Sequence, residues 1–159
     1  EMLRSLVGSE MCIRDSAGYY IKIAVRDFLA KWAPEVELID YGTDSGSESC
    51  DYPDFAHKLG DALDRGEVDM GVGVCGSGEG IQMALNKHRS VRAGLAWMPE
   101  IASLIRQHNN ANVLVLPGRF VPVQEAQEMA EIFFSTDFEG GRHERRVRKI
   151  AIDHGETLS

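Results

Sequence analysis

Apolar positions follow two periods along this chain. From residue 17 onward, Ile21, Ala24, Val25, Phe28, Leu29 and Trp32 recur at i, i+3 and i+4, which predicts an amphipathic helix that Pro34 ends. Residues 35–40 (EVELID) alternate and predict a strand, and the Gly, Ser and Asp run over 42–50 predicts a loop. Asp51 is placed to cap a helix with Pro53 in its first turn; Phe55, Leu59, Ala62 and Leu63 line that helix and Gly66 closes it. Residues 68–74 (VDMGVGV) form an apolar run of the buried-strand type, followed by Gly76, Gly78 and Gly80 and a helix over 81–87. The rhythm continues as a strand over 91–96, a helix over 99–108, a strand over 112–116, a helix over 123–134 and a last helix from 141 to about 153. Strands alternating with helices predict an α/β fold with a parallel sheet covered on both faces.

The start of the chain departs from this rhythm. A domain of this kind opens on an apolar strand, but residues 1–16 (EMLRSLVGSEMCIRDS) carry only scattered apolar positions. The run LVGSEMCIRDS resembles a sequencing-library adapter translated as coding sequence. Residues 1–16 are therefore expected to be a non-native N-terminus that replaces the first strand, with Met11, Cys12 and Ile13 as a short substitute. The alternative is a genuine but divergent start. Residues 17–159 are expected to form a single domain with a C-terminal helix, since 159 residues leave room for one domain and hardly two.

Composition narrows the function classes. A hydrophobic share of 43% supports a buried core. With 25 acidic against 17 basic residues the chain carries a net charge of −8, which argues against sequence-independent nucleic-acid binding. No apolar stretch reaches the ~18 residues of a membrane span, and no signal-peptide pattern is present. Cys12, Cys50 and Cys75 form neither a CxxC pair nor a disulfide framework, so a reducing cytoplasm is the expected location. No His, Asp and Glu cluster at ligand spacing is visible, and neither a metal nor a cofactor is expected.

Cys75 lies where a buried strand runs into the glycine turn CGSGEG. In parallel α/β sheets, ligands bind beyond the carboxyl ends of the strands. Glycines there let backbone N–H groups converge on an anion, and the same field favours a thiolate, so Cys75 is a candidate base or nucleophile. The alternative is a small buried apolar residue. Gly71, Gly73 and Gly76 also satisfy GxGxxG, but two of them lie within the strand and no acidic residue follows at the ribose distance, which disfavours a dinucleotide. Arg142 and Arg146 stand i, i+4 on one helix face after Gly140 and Gly141, and two guanidinium forks suit a phosphate monoester. The alternative is a solvated basic face that offsets Glu139 and Glu144. Arg119, after Pro117 and Gly118, is a third phosphate candidate on a sheet-end loop. His108 and Asn109 close a helix; a histidine there either exchanges protons near neutral pH or simply favours the negative end of the helix dipole.

Taken together, CGSGEGIQMALNK, RQHNNANVLVLPGR, FEGGRHERRV and DYGTDSGSESCDYPDFA resemble the ribose-5-phosphate isomerase B family, which includes related galactose-6-phosphate isomerase subunits. The similarity runs over about residues 17–150. The resemblance implies a three-layer α/β/α Rossmann-like fold with a mostly parallel five-stranded sheet, a homodimer with each site at the subunit interface, a sugar-phosphate substrate, and aldose–ketose isomerisation through an enediolate. It implies Cys75 as base, Ser77 at the sugar oxygens, and the N–H groups of Gly76, Gly78 and Gly80 as enediolate donors. It further implies His108 for ring opening, Asn109 on a substrate oxygen, Tyr52 lining the pocket, and Arg119, Arg142 and Arg146 on the phosphate. Family members that lack the cysteine use a glutamate at the position of Ile81, so this chain is of the cysteine type. Asp15 falls at the aspartate of the family's Asp-His-Ala-Gly, whereas Ser16 stands where that pattern has histidine. This departure leaves a catalytically impaired sugar-phosphate binder as one alternative; a hexose 6-phosphate isomerase for allose or galactose is another, because the motifs do not sort these sugars by length and hydroxyl orientation.

Overall fold

The computed structural model describes residues 5–9, 16–42 and 51–152. In chain order the elements are β1 (Ser5–Ser9), α1 (Ser16–Trp32), β2 (Leu38–Asp40), α2 (Tyr52–Asp64), β3 (Met70–Cys75), α3 (Glu79–Leu85), β4 (Ala93–Leu95), α4 (Pro99–Gln107), β5 (Val113–Pro117), α5 (Val123–Ser135) and α6 (Arg142–Arg148). The five strands form one parallel sheet in the order β2-β1-β3-β5-β4. Helices α1, α5 and α4 pack together on one face, and α2 with α3 on the other, giving three layers.

The alternation within the central strands explains this layering. Val72 and Val74 of β3 with Leu114 and Leu116 of β5 join the core under α1, α4 and α5. Cys75, Val113 and Val115 belong to the opposite core, with Leu59 and Leu63 of α2 and Ile81 and Leu85 of α3. Every residue of β3 and β5 is buried, as expected of parallel strands covered on both sides. The chain leaves β1 for one face and β3 for the other, so the sheet's switch point lies between these two strands.

The first strand is supplied by the segment expected to replace it, residues 1–16. Ser5–Ser9 fills the central slot, pairing with β2 over three positions and with β3 over five. The backbone N–H and C=O groups that an empty slot would strand on β2 and β3 are thereby paired. Met11, Cys12 and Ile13, the expected substitute, lie outside the described residues, as do Asp15 and Cys50. Other elements are shorter than their patterns. Only Leu38–Asp40 of the alternating run 35–40 is strand, opposite Ser5 to Val7. The last helix ends at Arg148 rather than near residue 153, with Lys149 as its cap.

One ion pair locks α1 to the sheet edge. Lys22 is 1% exposed, and its Nζ lies 2.9 Å from the Asp40 carboxylate at the end of β2. No described helix is long and apolar enough to cross a membrane.

Candidate active site

Two clusters carry the residues singled out from sequence, one at each end of the sheet. The first surrounds Cys75, the last residue of β3, which is 8% exposed and pairs with Pro117 at the carboxyl edge. The backbone N–H of Gly78 donates to Cys75 Sγ at 3.2 Å. That contact requires the left-handed turn at Gly78, with φ +81°, which a side chain resists. A Cβ there would also run into the Leu95 side chain and stand 3.2 Å from Val115. Of the three glycine N–H groups expected to face substrate, this one is therefore aimed at the sulfur itself.

The rest of this cluster is held by backbone contacts. Gly118 N–H donates to the Cys75 carbonyl at 2.8 Å, and Arg119 N–H to the Gly76 carbonyl at 3.0 Å. These bonds lay the loop after β5 along the glycine turn, and the Arg119 side chain passes over Gly76. Gly118 in turn sits directly on the backbone of Gly18 in the first turn of α1: a Cβ on it would be 2.7 Å from the Gly18 Cα. The Tyr52 ring, at the start of α2, lies flat enough against Gly80 that a Cβ there would be 2.6 Å from Cζ. Ser77 is exposed, and its Oγ accepts the Glu79 N–H at 3.3 Å. Cys75, Gly76, Ser77, Gly78, Gly80, Tyr52 and Arg119 are thus brought together; Asp15 lies outside the described residues.

The second cluster sits where α4 ends, at the amino edge of the sheet. His108 caps α4, Asn109 follows it exposed, and Asn110 turns the chain toward β5 with φ +49°. The His108 ring stacks on His143 of α6, with centroids 4.3 Å apart and planes 8° from parallel. Glu139 Oε2 lies 3.5 Å from His143 Nε2 and 4.0 Å from His108 Nε2. Burial makes the His143 imidazole harder to protonate than usual; His108 and Arg142 push the same way, and Glu139 opposes them. Glu139 N–H donates to the Gln107 carbonyl at 3.1 Å. Arg106 braces the same corner, donating to the carbonyls of Ala111 at 2.6 Å and Thr136 at 3.1 Å. Among the described residues, Arg148 takes the Glu144 carboxylate, and Arg142 and Arg146 have no carboxylate partner. The expected offset of those two arginines by Glu139 and Glu144 is therefore not made within the chain.

Within one chain the two clusters do not meet. β5 runs from the amino edge at Val113 to the carboxyl edge at Pro117, about 13 Å at ~3.3 Å per residue. α4 covers a similar length in the opposite sense, carrying His108 away from the end where Cys75 lies. His143, Glu139 and Arg106 were not singled out from sequence. Their roles come from packing between segments about 30 residues apart, which leaves no local spacing to read. The fold also gathers His108, Glu139 and His143 into a group whose ligand atoms lie within 4.8 Å of one another, a potential metal set that the sequence concealed.

Known proteins share this fold. The chain is 40% identical over 136 residues to ribose-5-phosphate isomerase B of Escherichia coli, covering 86% of this chain and 89% of that protein. The crystal structure of a ribose 5-phosphate isomerase from Thermotoga maritima superposes with a TM-score of 0.84 at 41% identity, covering 94% of this chain and 98% of that one. Type B ribose 5-phosphate isomerase from Trypanosoma brucei gives a TM-score of 0.85 at 32% identity, covering 94% and 97%. The model of the ribose/galactose isomerase family matches residues 11–150, a span that holds both clusters and all five strands but the first. On that span, and on a shared sheet from edge to edge, the chain belongs to the ribose/galactose isomerase family.

Proposed function

We propose that this chain interconverts ribose 5-phosphate and ribulose 5-phosphate as a homodimer, each site combining one subunit's Cys75 cluster with the other subunit's His108 cluster. The observation that carries this reading is the separation of the two clusters: a proton-transferring group must come within about 3 Å of its target, and the chain alone holds its two candidates at opposite edges. A two-fold pair presents each carboxyl edge with a partner's amino edge, completing two equal sites.

In this site Cys75 takes the proton from C2 of the open-chain aldose and returns it to C1, while the O2 hydroxyl proton moves to O1. The electron pair passes through an enediolate and no external oxidant is needed. The Gly78 N–H stabilises negative charge on the sulfur, and the N–H groups of Gly76 and Gly80 serve the developing enediolate. Ser77 contacts the sugar oxygens and Tyr52 walls the pocket. From the partner, His108 moves the ring-opening proton and Asn109 holds a substrate oxygen. Arg119 with the partner's Arg142 and Arg146 binds the phosphate, whose remote anchoring orients the reacting carbons. Residues 17–159 form the isomerase domain, residues 1–16 being a non-native lead. The reaction belongs to the pentose phosphate pathway and takes place in the cytoplasm.

The test is turnover of ribose 5-phosphate to ribulose 5-phosphate, followed by ketose absorbance, in the chain as it stands and in Ser16→His, which completes the Asp-His pair at residues 15 and 16. Cys75→Ala should abolish turnover while phosphate still binds; undiminished turnover would remove the thiol as base. A panel of aldose phosphates separates this reading from one on allose or galactose 6-phosphate.

A further inference from the structure

We propose that His57 is a nucleophilic imidazole that accepts the acyl group of an activated ester, set up by a relay through His88 and Asp64. The relay is a continuous chain of polar contacts on the α2 and α3 face of the sheet. Ser90 N–H donates to Asp64 Oδ1 at 2.7 Å, Asp64 Oδ2 stands 3.1 Å from His88 Nδ1, and His88 Nε2 stands 2.8 Å from His57 Nδ1. None of these groups belongs to the two clusters described above; α2 carries His57 and Asp64, and His88 follows the end of α3.

The hydrogen-bond pattern fixes where the protons are. The contacts with Ser90 and His88 outweigh burial and hold the Asp64 carboxyl below its usual range. A carboxylate only accepts, so His88 Nδ1 carries the hydrogen and neutral His88 presents a lone pair at Nε2. That lone pair faces His57 Nδ1, which therefore donates. The His57 lone pair is left on Nε2, in an exposed residue whose ring takes no other described partner. An imidazole held at one nitrogen by a carboxylate-backed partner and open at the other is the arrangement that activates nucleophiles and general bases. The helix also makes room for the relay: a Cβ on Gly60, inside α2, would run into the His88 ring. Glycine weakens a helix interior, and here it admits a ring held in one place.

The relay also suits the charge that acyl transfer generates. His57 Nε2 adds to the ester carbonyl, the bond to the leaving oxygen breaks, and the Nδ1 proton crosses to His88 Nε2. The products are a neutral acyl-imidazole, an aryl oxide and an imidazolium at His88. That cation faces Asp64 at 3.1 Å and Asp61 Oδ1 at 3.6 Å, so two carboxylates stand where positive charge develops. Water then adds to the acyl carbon and the C–N bond breaks. The proton returns from His88 to His57, and the carboxylic acid leaves with one proton that balances the aryl oxide. The relay offers a base but no acid to the leaving group, which selects esters whose leaving group departs unaided, aryl esters above all.

The probe is p-nitrophenyl acetate in excess over the intact chain, with p-nitrophenolate release followed by absorbance and acetylated peptides read by mass spectrometry after short exposure. Steady release and an acetyl group on His57 are expected. His57→Gln should lower the steady rate about tenfold or more, a fraction of the ~10²–10⁴-fold that a positioned proton-transfer group supplies. It should leave ribose 5-phosphate turnover unchanged, because His57 stands outside that site. Asp64→Asn keeps an oxygen for the Ser90 N–H but removes the carboxylate charge; it should slow acetylation of His57 roughly tenfold, well short of the ~10⁴-fold lost from a buried triad, in protein that circular dichroism shows folded. A steady rate unchanged in His57→Gln, or acetyl groups found only on other residues, overturns the site. A rate that falls in His57→Gln but holds in both Asp64→Asn and His88→Asn overturns the relay. Acyl transfer is read without isomerase turnover, so the two reactions stand or fall separately.

Discussion

Mixing two dead enzymes should restore a live one. Cys75→Ala removes the thiol from one cluster and His108→Asn the imidazole from the other, so each variant alone has no complete site. The clusters lie about 13 Å apart along the sheet, several times the ~3 Å reach of a proton-transferring group. If each site draws on two subunits, a mixed dimer holds one site carrying both lesions and one carrying neither. Random exchange at equal amounts makes half the dimers mixed, and half of their sites intact, so about one-quarter of native turnover returns. The assay is ribulose 5-phosphate formation after joint refolding, with native mass spectrometry counting mixed dimers. Mixed dimers without turnover would refute the reasoning, because they would show that a single chain supplies both groups.

Other substitutions test separate parts of the argument. Gly78→Ala forces a side chain into a left-handed turn at roughly 1–2 kcal/mol and crowds Leu95 at roughly 1–3 kcal/mol, so urea denaturation should show a loss of about 2–5 kcal/mol together with lost turnover. Arg142→Ala should raise KM about 10- to 100-fold with little change in kcat, the signature of lost charge-assisted phosphate contacts in steady-state kinetics. Asp64 tests the pH dependence. Burial works against its charge, but the Ser90 N–H at 2.7 Å and the His88 ring at 3.1 Å outweigh it and hold the carboxyl below its usual range. A depressed carboxyl stabilises the fold above its unfolded value near 3.9 and loses that contribution as pH falls through the folded value. Asp64→Ala should therefore lower stability by about 1–3 kcal/mol at neutral pH, and thermal melts of variant and parent should converge in acid.

What was legible in the sequence was contiguous. Cys75 and its glycines occupy six neighbouring positions, and the strand before them is apolar throughout, so the thiol's place at a strand end followed from the local pattern. The layered parallel sheet followed from alternating elements in the same way. The partnership of His108 with Glu139 and His143 did not, because it joins a helix end to a segment more than 30 residues later, through packing that no local period encodes. Nor did the spacing of motifs reveal that one chain holds its candidate groups at opposite edges; only the antiparallel course of α4 against β5 does that. Where the replacement strand would sit was not legible for another reason. A central parallel strand draws most of its hydrogen bonds from its neighbours, so even SLVGS, weak as a strand by composition, is held on both sides.

The contact between Gly118 and Gly18 bears on how much of the chain's opening can vary. The first turn of α1 takes its position from main chain that arrives some hundred residues later, and Gln127 of α5 reaches the Ala24 carbonyl of the same helix at 3.2 Å. The helix is thus registered from behind rather than by the segment that leads into it. Grafting a different lead onto residue 16 should leave this wall of the cleft where it stands, provided the new lead still supplies a strand for the slot between β2 and β3.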